Sequence, residues 1–393
     1  MQEFKVPSSK SISNRLLIIK YLSQSKEEIH NISTADDTSL MKELLTQIEE
    51  SPNDIFFCHN AGTVTRFLIS LLALKKGIWR IDGDINMRKR PIKPLVDILK
   101  ELGAEISSIK ENDKLPIKIA GETLIGGKTI NIDSSLSSQF ISSILLISPY
   151  IKEGLKIEMK EEIVSKPYID MTISLIKLFG AIIKKQNNKI TVSYSPYTFK
   201  EAFVESDWSS TCFAYEKLSI LKQGKIFINN LYHDSLQPDS IAEEYFSLLG
   251  IETKFKNNGV VLSYNYELIS PEKELEFDIK SSPDIFPPLV IASLFSEKKV
   301  IFKGIKSLEH KESNRIKSML QGLQKIGANA YLEDNKFIIN GFSKQVDKKI
   351  IIKTYDDHRI AMAFAIASLK LPNIKIDNKD CVSKSFPMFW ENL

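Results

Sequence analysis

A chain of 393 residues is too long for one ordinary core and calls for two or three domains. Its 53 basic and 49 acidic residues leave a net charge of +4, spread along the chain with no basic tail, which argues against a nucleic-acid partner. Cys58, Cys212 and Cys381 stand far apart without CxxC or Cys/His spacing, excluding a disulfide framework and a zinc site. The first residues, MQEFKVPSSKSISNR, lack an apolar signal core, and stretches such as FISSILLISPYI are too short to span a bilayer. The expected setting is the cytoplasm, without a membrane.

In chain order, SSKSISNR (8–15) places Lys10, Ser11, Ser13 and Arg15 before the apolar run LLIIKYLS. Hydroxyls and cations at a helix start suit a phosphate or carboxylate, although Ser11 or Ser13 could equally serve as a plain N-cap. HNAGTVTRFLISLLAL (59–74) is a turn opening an apolar helix, with Gly62 permitting close backbone approach and Arg66 one turn in. MRKRPIKPLVD (87–97) packs four cations beside two prolines, either as a solvated loop or as an anion-grasping one with Arg90 aimed inward. DSSLSSQFISSILL (133–146) presents Ser137, Ser138 and Gln139 at a helix start, and VSKPYIDMT (164–172) repeats the idea with Ser165, Lys166 and Tyr168. Asp284 precedes the apolar helix of SSPDIFPPLVIASLF (281–295) in the position of an N-cap. HKESNRIKSML (310–320) is expected to hold Lys311, Glu312 and Arg315 in one helical turn. TYDDHRIAMAFA (354–365) sets Asp356 or Asp357 to cap a buried helix, but it also puts Arg359 at the positive end of the macrodipole, where a cation is disfavoured unless an anion joins it. CVSKSFPMFW (381–390) offers Lys384.

An internal repeat sets the architecture. Residues 95–119, 172–192, 241–262 and 319–339 each read as an amphipathic helix, a Gly, a short strand, an Asn/Asp turn and another strand. Gly103, Gly180, Gly250 and Gly327 fit the position just past a helix C-terminus, and they recur at intervals of 77, 70 and 77 residues. Fainter copies at 40–57 and 361–376 would bring the count to six units, three per domain, with a boundary near 203–210. Anion-suited helix starts spread over such a repeat imply a cleft between domains for polyanionic small molecules. Asp284 and Glu312 are then available for proton transfer.

The ordered series SKSISNR, NAGTVTR, RKRPI, SSQF, SKPYIDMT, PD before an apolar helix, HKESNR, DDHRIAMAF and CVSKSFP closely resembles the 5-enolpyruvylshikimate-3-phosphate (EPSP) synthase family across nearly the whole chain. The resemblance implies an α/β fold of two domains in an inside-out α/β barrel arrangement, each with three βαβαββ units. The domains would be 8–206 and 1–7 with 207–393, and would close on substrate. The first strand, Glu3–Val6, would join the C-terminal domain. The implied reaction moves the enolpyruvyl group of phosphoenolpyruvate to the 5-hydroxyl of shikimate 3-phosphate, by addition and then elimination of phosphate, in aromatic amino acid biosynthesis. Carried over, Lys10, Ser11, Arg15, Ser137, Ser138, Gln139, Ser165, Asp284 and Lys311 would contact shikimate 3-phosphate. Lys10, Gly62, Arg90, Gln139, Arg315, Arg359 and Lys384 would hold phosphoenolpyruvate. Asp284 would take the hydroxyl proton, Glu312 would serve C3, and Lys10 would complete the catalytic set. The resemblance implies a monomer, with no metal or organic cofactor. The chain departs from the family pattern at Ser8 (usually Gly), Phe67 (often Pro), Asn86 (often Arg) and Ser307 (often Asn). Two alternatives stand beside it. One is the enolpyruvyl transferase acting on UDP-N-acetylglucosamine, whose reactive Cys is missing from 83–91 here; the other is a noncatalytic anion-binding repeat protein.

Overall fold

The computed structural model describes residues 2–51, 54–132, 137–159, 166–346 and 348–393. The chain divides into two compact units: an amino-terminal unit of Lys10–Ser33 and Asp37–Val204, and a carboxy-terminal unit of Met1–Ser9, Thr34–Asp36 and Glu205–Leu393. Each unit has its own apolar core.

The amino-terminal unit contributes helices α1 (Lys10–Ser23), α2 (Asp36–Glu50, whose first residue falls in the other unit), α3 (Gly62–Leu74), α4 (Ile85–Lys89), α5 (Lys93–Glu101), α6 (Ser138–Ile147) and α7 (Lys166–Leu178). Its first sheet runs in the spatial order Ile55–Phe57, Gly77–Asp82, Ile117–Gly121, Glu105–Ser108. Its second runs Thr129–Ile132, Leu155–Met159, Lys189–Val192, Ile183–Gln186. In each, the first pair is parallel and the rest antiparallel. The parallel pairs are bridged by α3 and α6, while α5 and α7 lead into the hairpins.

The carboxy-terminal unit repeats the plan with α8 (Trp208–Leu221), α9 (Ala242–Ser247), α10 (Phe286–Leu294), α11 (Arg315–Lys325) and α12 (His358–Ala367). One sheet runs Gln2–Glu3, Lys225–Asn229, Gly259–Tyr264, Ile251–Lys256; the other runs Glu274–Asp278, Lys299–Lys303, Lys336–Phe342, Ala328–Glu333. The amino-terminal strand thus completes a carboxy-terminal sheet, in parallel register with Ile226 and Phe227, and is shorter than the Glu3–Val6 read from the sequence.

The turns after α5, α7, α9 and α11 all depend on glycine. Gly103, Gly180, Gly250 and Gly327 have φ of 101°, 99°, 89° and 82°, in the region that a Cβ disfavours. The third unit of each domain departs from the full βαβαββ pattern. Among the described residues it is a two-stranded parallel sheet only, Ala202–Phe203 with Ile29–His30 and Ile350–Ile352 with Ile374–Ile376. After Ile376 the chain forms a 3-10 turn, Asp380–Lys384, and then buries Phe386 and Phe389 in the core, so those apolar residues pack without a hairpin.

The layering explains the helix compositions. α10 and α12 are buried over their whole length, which is why they are apolar all round behind the charged mouth of α12, whereas α8 is nearly as buried but carries Glu216 and Lys217 inside. The strands sit outside and alternate buried and exposed residues, as in Ile117–Gly121 and Leu155–Met159. Charged residues at the mouths of the inner helices are therefore carried by rigid, buried supports. No helix among the described residues is long and apolar enough to cross a membrane.

Candidate functional site

In the carboxy-terminal unit, Asp284 lies in the 3-10 turn Pro283–Ile285 that feeds α10. Its side chain caps no helix, contrary to the simplest reading of its position. Instead it accepts from three cations: Arg315 Nη1 to Oδ1 at 2.8 Å, Lys311 Nζ to Oδ1 at 3.3 Å, and Arg359 Nη2 to Oδ2 at 3.1 Å. Arg315 is itself buried and fully engaged. Its Nη2 donates to Glu312 Oε2 at 2.8 Å and its Nε to Asp357 Oδ2 at 2.9 Å.

The helical turn expected for Lys311, Glu312 and Arg315 does not form. α11 begins at Arg315, capped by the Asn314 side chain accepting from Lys317 N, and Lys311 is extended. Ion pairing, not helix periodicity, gathers these three residues. Asp357 is the N-cap of α12, accepting from Arg359 N, and it also receives Ser313 Oγ at 3.0 Å. His358, beside it, is buried. Lys384 ends the 3-10 turn after Ile376 and is half-buried.

Burial pushes the Asp284 carboxyl up, but Arg359, Lys311 and Arg315 together outweigh it and hold the group well below the ordinary carboxylate range. Burial likewise works against the Arg315 cation, and Asp357, Glu312 and Asp284 reverse it. A low-dielectric cluster of this kind is costly unless every charge is matched, so its members act as a set.

The amino-terminal unit holds a second group, with less internal compensation. Arg15, 3% exposed on α1, donates to Thr172 Oγ1 at 2.8 Å, Ser11 O at 2.8 Å and Ser142 Oγ at 3.3 Å, and lies over the Phe67 ring at 5.4 Å. Among the described residues it forms no ion pair, and burial pulls its pKa down to about 10, against a smaller opposing effect of Tyr168. Ser13 does not cap α1; its Oγ accepts from Ser33 N at 3.0 Å. Lys10 pairs with Asp37 at 2.8 Å.

Gly62 opens α3, and a Cβ there would lie 2.6 Å from Arg90 Nη1 and 2.7 Å from Arg66 Nη1. The bare backbone is what lets two guanidiniums crowd this turn. Arg66 donates to Gln139 Oε1 at 2.6 Å, Gly62 O at 3.1 Å and Pro91 O at 3.2 Å. Arg90 turns inward, and its Nε and Nη1 are buried with no hydrogen-bond partner among the described residues. Of the four cations in 87–97, Arg88 instead pairs with Asp82 and Lys93 with Asp97. Ser137 caps α6, accepting from Gln139 N, and Ser138 is its buried first residue. Ser165 lies outside the described residues.

Two contributors go beyond the sequence expectation: Asp357, which the sequence offers only as a cap, and Arg66, which it offers only as a neighbour of the turn. Ser307, a departure from the family pattern, has a buried Oγ with no hydrogen-bond partner among the described residues. Buried arginine donors left unsatisfied, as at Arg90, are suited to a multiply charged anion.

Comparison with known proteins narrows this class. Residues 46–393 match the family model of EPSP synthase (3-phosphoshikimate 1-carboxyvinyltransferase). A 3-phosphoshikimate 1-carboxyvinyltransferase of Bacteroides fragilis is 36% identical over 392 residues, covering 99% of this chain and 93% of that one. One from Buchnera aphidicola is 33% identical over 416 residues, covering 99% and 93%. The crystal structure of EPSP synthase from Acinetobacter baumannii has the same fold, with a TM-score of 0.79 at 22% identity over 99% of this chain and 94% of that one. The chain belongs to the EPSP synthase family.

Proposed function

We propose that this protein transfers the enolpyruvyl group of phosphoenolpyruvate to the 5-hydroxyl of shikimate 3-phosphate and releases phosphate. The observation that carries the reading is Asp284, gripped by Lys311, Arg315 and Arg359, with Glu312 on the same arginine. Those cations suit the carboxylate and phosphate groups of the two substrates, and the two acids suit the two proton transfers the reaction needs.

In the addition step the hydroxyl oxygen bonds to C2 of phosphoenolpyruvate. Its proton passes to Asp284 while Glu312 delivers a proton to C3. In the elimination step Glu312 takes a proton back from C3, the bond from C2 to the phosphate oxygen breaks, and the proton held by Asp284 passes to the departing phosphate. Asp284 in the unliganded arrangement is a poor base, because three cations stabilise its anion. Substrate carboxylate drawing Arg315 and Arg359 away raises its basicity when the hydroxyl is in place. Arg90, with two donors unsatisfied among the described residues and set against Gly62, and Arg15, without an ion-pair partner among them, receive further anionic groups, joined by Lys10, Ser11, Gln139, Ser137, Ser138, Ser165 and Lys384. The enzyme acts as a cytoplasmic monomer.

The test is phosphate release from phosphoenolpyruvate with and without shikimate 3-phosphate. Strong stimulation is expected, and its absence in folded protein rejects the reading. UDP-N-acetylglucosamine in place of shikimate 3-phosphate should give no release, since 83–91 carries no cysteine.

A further inference from the structure

In the segment VSKPYIDMT (164–172) the charged residues and the last residue do different things. Lys166 Nζ donates to Asp170 Oδ2 at 2.6 Å, and Lys185 takes the other carboxylate oxygen, so the charges satisfy one another near the surface. Thr172, fully buried on α7, turns inward. Its Oγ1 accepts from Arg15 Nε at 2.8 Å. Ser142 Oγ, buried on α6, stands 3.0 Å from Thr172 Oγ1 and accepts from Arg15 Nη2 at 3.3 Å. Hydroxyl oxygens from two helices thus take the Nε and Nη2 side of one guanidinium, a place that suits a carboxylate. All of these residues belong to the amino-terminal unit.

The Thr172 hydroxyl proton has its own acceptor, Tyr168 O at 2.9 Å, one turn back on α7. That leaves a lone pair for Arg15, and the β-branched side chain has few rotamers in which to move it. A buried cation is ordinarily matched by acids, as Arg315 is. Arg15 is 3% exposed, yet its hydrogen-bond acceptors among the described residues are Thr172, Ser142 and the Ser11 carbonyl, all neutral. A guanidinium carries five N–H groups. These three bonds leave one on Nη1 and one on Nη2. The charge is oriented without being neutralised.

We propose that Thr172 is a positioning residue, with Ser142 as its second, that holds the Arg15 guanidinium in the orientation in which an anionic group of shikimate 3-phosphate meets it. This rests on the proposed contact between Arg15 and that substrate. An acid in place of Thr172 would hold the arginine as firmly, but it would compete with the arriving anion. A neutral hydroxyl fixes the geometry and leaves the charge available, so less ordering is left to be done on binding.

The experiment compares wild type with Thr172→Val, which keeps the shape and loses the hydroxyl, and with Thr172→Ser, which keeps the hydroxyl. By calorimetry the Kd for shikimate 3-phosphate should rise about tenfold in Thr172→Val and return close to the wild-type value in Thr172→Ser. The KM for shikimate 3-phosphate should rise more than that for phosphoenolpyruvate. An unchanged Kd in folded Thr172→Val, a serine variant as weak as the valine one, or an equal rise in both KM values would overturn the role, the last because it marks a general loss of structure. The second readout needs no substrate. The Arg15 Nε–H resonance, identified as the one lost in Arg15→Lys, should shift and exchange faster with solvent in Thr172→Val. Wild type that binds no shikimate 3-phosphate rejects the reaction, whereas an unmoved resonance rejects the positioning role, so the two failures are distinct. Should Thr172→Val not fold, Ser142→Ala removes the second hydroxyl and should also weaken binding of shikimate 3-phosphate; an unchanged Kd there again refutes the proposal.

Discussion

Arg315 shows how a single side chain can organise a cluster. It spans Asp284, Glu312 and Asp357 at 2.8, 2.8 and 2.9 Å while 1% exposed, so its own cost of burial is met only if all three acids stay in place. Removing one acid unbalances the remainder, which separates positioning from chemistry experimentally. Asp284→Asn keeps the shape and removes the base. Turnover should fall about 10²–10⁴-fold while both substrates still bind, the usual range for a lost proton-transfer group. Glu312→Gln should fall similarly, and it should also stop exchange of solvent deuterium into C3 of phosphoenolpyruvate. Wild-type turnover in Asp284→Asn would remove that residue from the mechanism.

At the scale of the element, the mouth of α3 matters most. Alanine is a better helix former than glycine by roughly 1 kcal/mol, so Gly62→Ala gains on propensity alone. The new Cβ would nevertheless fall 2.6 Å from Arg90 Nη1 and force both guanidiniums to shift. The expected result is a melting temperature no lower than wild type, with a KM for phosphoenolpyruvate raised about tenfold, equivalent to roughly 1.4 kcal/mol of binding. An unchanged KM would show that Arg90 finds another rotamer at no cost. The sequence made this turn legible because glycine before an apolar run is a local signal, and the four helix-ending glycines are legible for the same reason, each at positive φ. The Asp357 cap was equally local. Lys311 and Glu312 were misplaced onto a helix because periodicity is blind to ion pairs that reach back 27 residues to Asp284. The shortened third repeats were hidden because 361–376 has the helix and strand of a full unit, and only the packing of Phe386 and Phe389 reveals where the chain goes next.

For the molecule as a whole, acids held low and acids held high pull stability in opposite directions with pH. Asp284, depressed by its cations, contributes stability that is present above its unfolded value, near 3.9, and is lost as pH falls through the folded one. Glu216 has the opposite sign. It sits mid-α8 with no exposure, neither carboxylate oxygen has a hydrogen-bond partner among the described residues, and burial alone raises its pKa well above the ordinary value. The folded chain therefore holds a proton that the unfolded chain releases above about pH 4.3, so stability from this residue is full below that pH and declines as pH rises toward the folded value. Nothing in the proposed reaction uses Glu216. Glu216→Met keeps the volume and removes the unsatisfied group, which should stabilise the carboxy-terminal unit at pH 7 by on the order of 1–3 kcal/mol. Because the penalty grows with pH, the difference in melting temperature between Glu216→Met and wild type should widen steadily from about pH 4 to about pH 8. A constant difference would mean that Glu216 finds a partner in solution, and turnover should stay at the wild-type level throughout.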